Sequence, residues 1–326
     1  MISRREWILG VAAGTLMSPL GALAQPKVFR IGRLAPATPS FSAPMEDALK
    51  QGLRELGWVE GRNFVMEYRF AHGKSERLPG LAAELVRLKV DVIVAGSSPG
   101  VLAARSATAT IPIVMVTTGD PVAGGLVGDL SHPGGNVTGV TALNQNLNAK
   151  LLEILKETVP RTSRVAVLGG AAYPSKLLES DEIRRAVGAL GITLHRFDVT
   201  RPSELERTFV AMTKRHAEAL FVVPDPMFNE YQRRIAALAL EHRLPAAFGF
   251  PGFVDAGGLL YYGAPLPSMY RLAAAYVVKL AGGAKPADLP IEQPTTFELV
   301  INLRTARALG LTIPSSILLR ADRVIE

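Results

Sequence analysis

Short apolar runs of strand character alternate with longer segments of helical periodicity, and the series is run through twice. From residue 28, VFRIGRLAP reads as a strand, SAPMEDALKQGLRELGW as a helix, NFVMEYRFA as a strand and RLPGLAAELVRL as a helix. VDVIVA and IPIVMV follow as strands, and continuous apolar runs of this kind suit a parallel sheet covered on both faces. The first helix places Met45, Ala48, Leu49, Gly52, Leu53 and Leu56 on one face, with Gly57 to end it. A second series starts at RVAVLGG and continues through KLLESDEIRRAVGALG, ITLHRFDV, ELERTFVAMTKRH, ALFVVPD, NEYQRRIAALALEHR and AAFGF. Such alternation leaves an α/β fold with parallel sheets as the expected architecture. Two series of near-equal length predict two Rossmann-like lobes with a ligand cleft between them, joined through NVTGVTALN. PSMYRLAAAYVVKLAGG and FELVINLRTARALG are too short for a domain and complete the lobes, so the chain crosses between them more than once. The expected division is 25–140 plus about 264–290 for the first lobe, and about 141–263 plus 291–326 for the second.

Composition narrows the function classes. With 326 residues and 48% hydrophobic content the chain supports two cores. The absence of cysteine excludes disulfides, thiolate metal sites, a cysteine nucleophile and a lipoprotein anchor. Lys plus Arg exceed Asp plus Glu by 36 to 29, but the basic residues are scattered among acids, as in DEIRRAVGAL. No basic block or helix-turn-helix signature stands out, so nucleic acid is not an expected partner.

The first 24 residues read as a signal peptide. Arg4 and Arg5 precede the apolar run WILGVAAGTLM, and Ala22-Leu23-Ala24 offers a small-residue cleavage site before Gln25. The run falls short of the about 20 apolar residues a spanning helix needs. SRREWIL fits a twin-arginine signal and an ordinary secretory n-region equally well. Either route places the mature protein in the periplasm.

Open parallel sheets bind ligands at the carboxyl ends of their strands, where helix N-termini present backbone N–H groups. Six loops occupy such positions: APATPSF, GSSPG, TTGDP, GGAAYP, PDPMF and GFPGF. They supply the candidate ligand-binding residues Phe41, Ser97, Ser98, Thr118 and Asp120 from the first lobe. Tyr173, Asp225 and Phe250 come from the second, with Phe248 as a further apolar wall. Asp120 and Asp225 each adjoin a proline, which also suits a plain turn-forming role.

GSSPG invites a different reading, because Gly96 to Gly100 match the G-x-S-x-G elbow of serine hydrolases. An elbow takes one oxyanion donor from the N–H of the residue after the nucleophile, and here that residue is Pro99. Losing one such donor costs about 10²–10³ in rate. Of the histidines His72, His132, His195, His216 and His242, one falls in a strand, and His216 and His242 close helices. Pro99 instead suits the first turn of a helix capped by Ser97 or Ser98. The loop holds a ligand, and a hydrolase using Ser98 stands as the alternative. HGKS lacks the first glycine of a phosphate loop, its place being taken by Tyr68, and no acidic or histidine cluster has metal-ligand spacing. No cofactor and no metal are expected.

Three stretches carry a family resemblance: GDPVAGGLVGDLSHPGGNVTGVT, LPAAFGFPGFVDAGGLLYYG and GAKPADLPIEQPTTFELVINLRTARALGLTIPSSILLRADRVIE. Through them the chain resembles the ABC-transporter substrate-binding proteins of the tryptophan/tyrosine type, over essentially the whole mature sequence. The resemblance implies the type I periplasmic-binding fold, hinge closure around a small-molecule ligand, an ABC permease of the inner membrane as partner, and no catalysis. GGAAYP and SSP depart from the family pattern, where a WNP-containing loop and Thr or Gly are usual. The ligand class expected from the residues is an amino acid or a related aromatic or apolar carboxylate, bound by a monomer. A sensory protein reporting to a signalling receptor would share the fold and differ in partner.

Overall fold

The apolar runs pair into two sheets in the computed structural model, which describes residues 28–117, 119–142, 144–170 and 180–326. The first sheet contains β1 (Phe29–Ala35), β2 (Phe64–Phe70), β3 (Val92–Gly96), β4 (Ile113–Thr117) and β5 (Val137–Thr141). Its order is β2-β1-β3-β4-β5 and every pair is parallel. Helices α1 (Pro39–Glu55), α2 (Leu78–Arg87) and α3 (Ser98–Ala107) provide the crossovers between β1, β2, β3 and β4. The helix α4 (Asn144–Thr158) then leads to the second sheet.

The second sheet begins with β6 (Arg164–Gly170), β7 (Thr193–Val199), β8 (Ala219–Val222), β9 (Ala246–Phe248) and β10 (Leu260–Gly263). Between these strands lie α5 (Asp181–Leu190), α6 (Leu205–Lys214), α7 (Pro226–Glu230), α8 (Gln232–Glu241) and α9 (Gly252–Asp255). The order β7-β6-β8-β9-β10 repeats that of the first sheet. After α10 (Leu266–Ala281), β11 (Glu298–Asn302) joins antiparallel to β10. The tail adds α11 (Leu303–Ala308), α12 (Ser315–Leu318) and the parallel edge strand β12 (Arg323–Ile325). The strand order reverses between β1 and β3 and again between β6 and β8, the two switch points where a crevice opens.

Helix α10 lies in sequence between strands of the second sheet but packs on the first. Its Met269, Tyr270, Ala273, Tyr276 and Val277 share a core with Leu49 and Leu53 of α1 and with Val92, Val94 and Val114. The two helices touch closely: a Cβ on Gly52 would lie 2.6 Å from the Arg271 carbonyl oxygen, which leaves glycine as the fitting residue. No helix among the described residues is long and apolar enough to cross a membrane.

Three expectations need correction. NVTGVTALN is no linker, because Val137–Thr141 forms β5 with all its residues buried. Its glycine disguised it: Gly139 has φ 132, and a Cβ there would run into the Met115 backbone of β4. The Thr138 hydroxyl, which reads as polar loop chemistry, donates to the Leu289 carbonyl at 2.8 Å. Leu56 leaves the helical face and is 47% exposed, since α1 ends at Glu55 and the chain turns through Gly57 at φ 82. Phe248 is fully buried and stacks on Phe253 at 4.7 Å in the second core, so it forms no part of the cleft wall.

Candidate ligand-binding cleft

Both switch points face one cavity of about 480 Å³, a size typical of small-molecule sites. On the first side, β3 ends at Gly96 and the chain swings through Ser97 with φ 62 and ψ 156 into α3. A side-chain-bearing residue at positive φ stores about 1–3 kcal/mol. The conformation is held because the Ser97 N–H donates to the Val116 carbonyl at 3.1 Å and its hydroxyl accepts from the Gly100 N–H at 3.4 Å. Ser97 is therefore the N-cap, and Pro99 sits in the first turn, where a missing N–H leaves nothing unsatisfied. The Ser98 hydroxyl lies on the cavity wall, and a Cβ at Gly119 would stand 3.0 Å from it. No histidine contributes to that wall.

Both aspartates form turns and also line the cavity. Asp120 Oδ1 accepts from the N–H groups of Val122 at 2.8 Å and Ala123 at 3.0 Å. Asp225 Oδ1 accepts from the Met227 N–H at 2.8 Å and caps α7, with the residue only 4% exposed. The carboxylate lies directly over Gly170 at the end of β6, in the space any side chain at 170 would fill. Asn229 follows one turn later on the same face of α7. Asn229 lines the cavity, and its Oδ1 is buried with no hydrogen-bond partner among the described residues.

Side-chain contacts join the walls. Phe41 and Phe250 meet edge to face, with centroids 6.5 Å apart and an interplanar angle of 89°. The Thr38 N–H, at the start of α1, donates to Glu230 Oε1 at 2.9 Å. The carboxylate thus sits where the helix dipole favours an anion.

Beneath the first wall lies Arg33, mid-strand on β1 and 1% exposed. Its Nε donates to Glu46 Oε1 at 2.9 Å, its Nη1 to the Leu34 carbonyl at 2.7 Å, and its Nη2 to the Tyr270 hydroxyl at 2.8 Å. The guanidinium carbon also lies 4.6 Å from the centre of the Tyr270 ring. Burial works against the Arg33 charge, but Tyr270 and Glu46 outweigh it and hold the guanidinium above its ordinary value. Burial raises the Glu46 carboxyl against the pull of Arg33, and it likewise pushes the Tyr270 phenol up, keeping its proton on. An unpaired charge at this depth would be prohibitive, so the pair exists as a unit.

Six of the residues expected from the sequence come together here: Phe41, Ser97, Ser98, Asp120, Asp225 and Phe250 all line the cavity. Thr118 and Tyr173 lie outside the described residues. Arg33, Tyr270 and Asn229 were not anticipated. An arginine in the middle of the strand FRIGRLA was the available signal for the first, whereas Tyr270 arrives from a helix far along the chain.

Comparison with known proteins finds a matching family and similar structures. The family model described as ABC transporter substrate binding protein matches residues 39–325. A protein of Clostridioides difficile (strain R20291) named Tyrosine-binding protein is 25% identical over 272 residues, covering 82% of this chain and 78% of its own. The structure is similar to that of an ABC domain from Streptococcus pneumoniae in complex with L-Trp. That match has 26% identity and a TM-score of 0.84 over 92% of this chain and 100% of the other. A conserved domain protein from Vibrio cholerae matches with 25% identity and a TM-score of 0.84, covering 91% of this chain and 100% of that one.

Proposed function

The chain belongs to the ABC transporter substrate binding protein family, and on that premise we propose that its cargo is an α-amino acid with an apolar or aromatic side chain. The observation that carries the reading is the polarity of the cleft. One wall offers the Ser97 and Ser98 hydroxyls at a helix N-terminus, which suits a carboxylate. The other offers the buried Asp225 carboxylate and the Asn229 oxygen, which suit an ammonium, since a buried cation needs a paired charge. Phe41 and Phe250 supply apolar surface between them. Thr118 and Asp120 would complete the first wall and Tyr173 the second. Relatives named for tyrosine binding and solved with L-Trp make an aromatic side chain the natural choice.

Binding works by hinge closure between a lobe of residues 25–140 plus about 264–290 and a lobe of about 141–263 plus 291–326. A ligand touching both walls favours the closed state by its differential affinity for it, and the closed form docks on the permease. The protein acts as a monomer in the periplasm after its leader, residues 1–24, is removed.

A thermal-shift series on the mature protein tests the cargo. At 100 times its dissociation constant a ligand adds about 2.7 kcal/mol of stability. Aromatic amino acids should raise the melting temperature, and Asp225→Asn or Asp120→Asn should diminish the effect. Stabilisation by amine-free aromatic acids alone, indifferent to both substitutions, would overturn the amino-acid reading in favour of a simple carboxylate. Ester hydrolysis above a Ser98→Ala control would revive the hydrolase.

A further inference from the structure

The floor of the cleft contains a hydroxyl whose hydrogen finds no acceptor among the described residues. Tyr270 Oη accepts from Arg33 Nη2 at 2.8 Å, and an arginine has no lone pair to accept in return. The phenolic hydrogen therefore points away from Arg33, and among the described residues it meets no acceptor. Buried polar groups are almost always paired, so a donor left over among the described residues at 4% exposure suits a partner in the cavity. Tyr270 lines the cavity, which supplies the place for one.

The position of the hydroxyl says which part of a ligand it meets. A Cβ at Gly96 would lie 2.5 Å from Tyr270 Oη, so the oxygen rests over the last residue of β3, immediately before Ser97 and Ser98. Gly96 is the residue that makes this approach possible. The donors thus gather at one point, the switch between β1 and β3. Burial keeps the phenol protonated, and a hydrogen bond received from a guanidinium polarises the O–H and strengthens it as a donor. Glu46 offsets the arginine charge, so the floor presents a directed O–H group backed by a neutral pair.

We propose that Tyr270 reads the carboxylate of the ligand by donating its phenolic hydrogen to it, and that Arg33 is the positioning residue that aims that hydrogen. The assignment rests on the cavity being the amino-acid site proposed above. It makes the acid, and not its neutral amide, the preferred cargo, because a hydrogen bond to a charged acceptor is about twice as strong as one between neutral groups.

The test is Tyr270→Phe, which keeps the ring and removes the oxygen, titrated calorimetrically with L-tryptophan and with L-tryptophanamide. Loss of a bond to a charged group should weaken the acid by about tenfold or more, and the amide by less than about tenfold. The preference for acid over amide therefore shrinks, a change that general loosening of the fold does not produce. Gly96→Ala, whose methyl would push the hydroxyl aside, reads the same ratio should the phenylalanine variant fail to fold. Wild-type binding of the acid with an unchanged ratio in the variant would remove Tyr270 from ligand recognition and leave the cargo reading standing. Failure of the wild-type protein to bind tryptophan or any other aromatic or apolar amino acid would take the cargo reading down, and this assignment with it.

Discussion

The first wall of the cleft rests on β3 and the long helix α1, with a buried arginine behind it. The second rests on α7, a helix of 5 residues, and on α9, a helix of 4. On the first wall the charged groups answer one another: Arg33 is held by Glu46, Tyr270 and a backbone carbonyl. On the second, Asn229 Oδ1 is buried with no partner among the described residues, and the Asp225 carboxylate crowds against a glycine. The first wall is thus braced by a buried ion pair, whereas the second is carried by short helices. Both bring polar side chains to the cavity, Ser98 and Asp120 from the first and Asp225 from the second.

That contrast can be broken at four places. Asp225→Asn should have the largest effect, lowering amino-acid affinity by about 2–5 kcal/mol, because it removes one partner of a buried charge pair. Asparagine still caps a helix, so the unfolding midpoint should change little while calorimetric binding collapses. Undiminished affinity would mean that the second wall does not select by charge. Next comes Glu230→Ala, which cuts the contact from Glu230 to the N-terminus of α1. A hydrogen bond to a charged group contributes about 1.5–3 kcal/mol, and the loss should show in the dissociation rate by stopped flow. A change confined to the association rate would argue against a role in holding the walls together.

Ser98→Ala should be milder, weakening binding by about 0.5–1.5 kcal/mol if one neutral hydrogen bond is lost. Ser97→Gly should raise stability slightly, by about 0.3 kcal/mol net. It relieves about 1–3 kcal/mol of strain but gives back about 0.5–1 in backbone entropy and about 0.5–1.5 for the hydroxyl. A lower melting temperature for this variant would show that the first wall holds its serine without strain.

The sequence made the α/β layout readable because strands such as VDVIVA are apolar throughout and the helices between them keep a regular period. β5 escaped because a glycine and two threonines occupy three of its five positions, and their burial depends on neighbours in β4 and on the 289–292 segment. The loops after strands led directly to Ser97, Ser98, Asp120, Asp225 and Phe250, since the switch-point rule needs only strand ends to be located. Arg33 and Glu46 were hidden for the opposite reason. Each interrupts an apolar pattern, and only their 2.9 Å pairing turns two irregularities into one buried unit. Tyr270 stands 237 residues from Arg33, a separation at which local periodicity carries no information about contact.

Gly170 touches no cargo, yet its missing side chain is what lets the Asp225 carboxylate rest at the end of β6. A methyl group there would force the acid to another rotamer and, with it, the helix cap it provides. One substitution behind the wall would therefore redraw the shape of the cavity while every residue that lines it kept its identity.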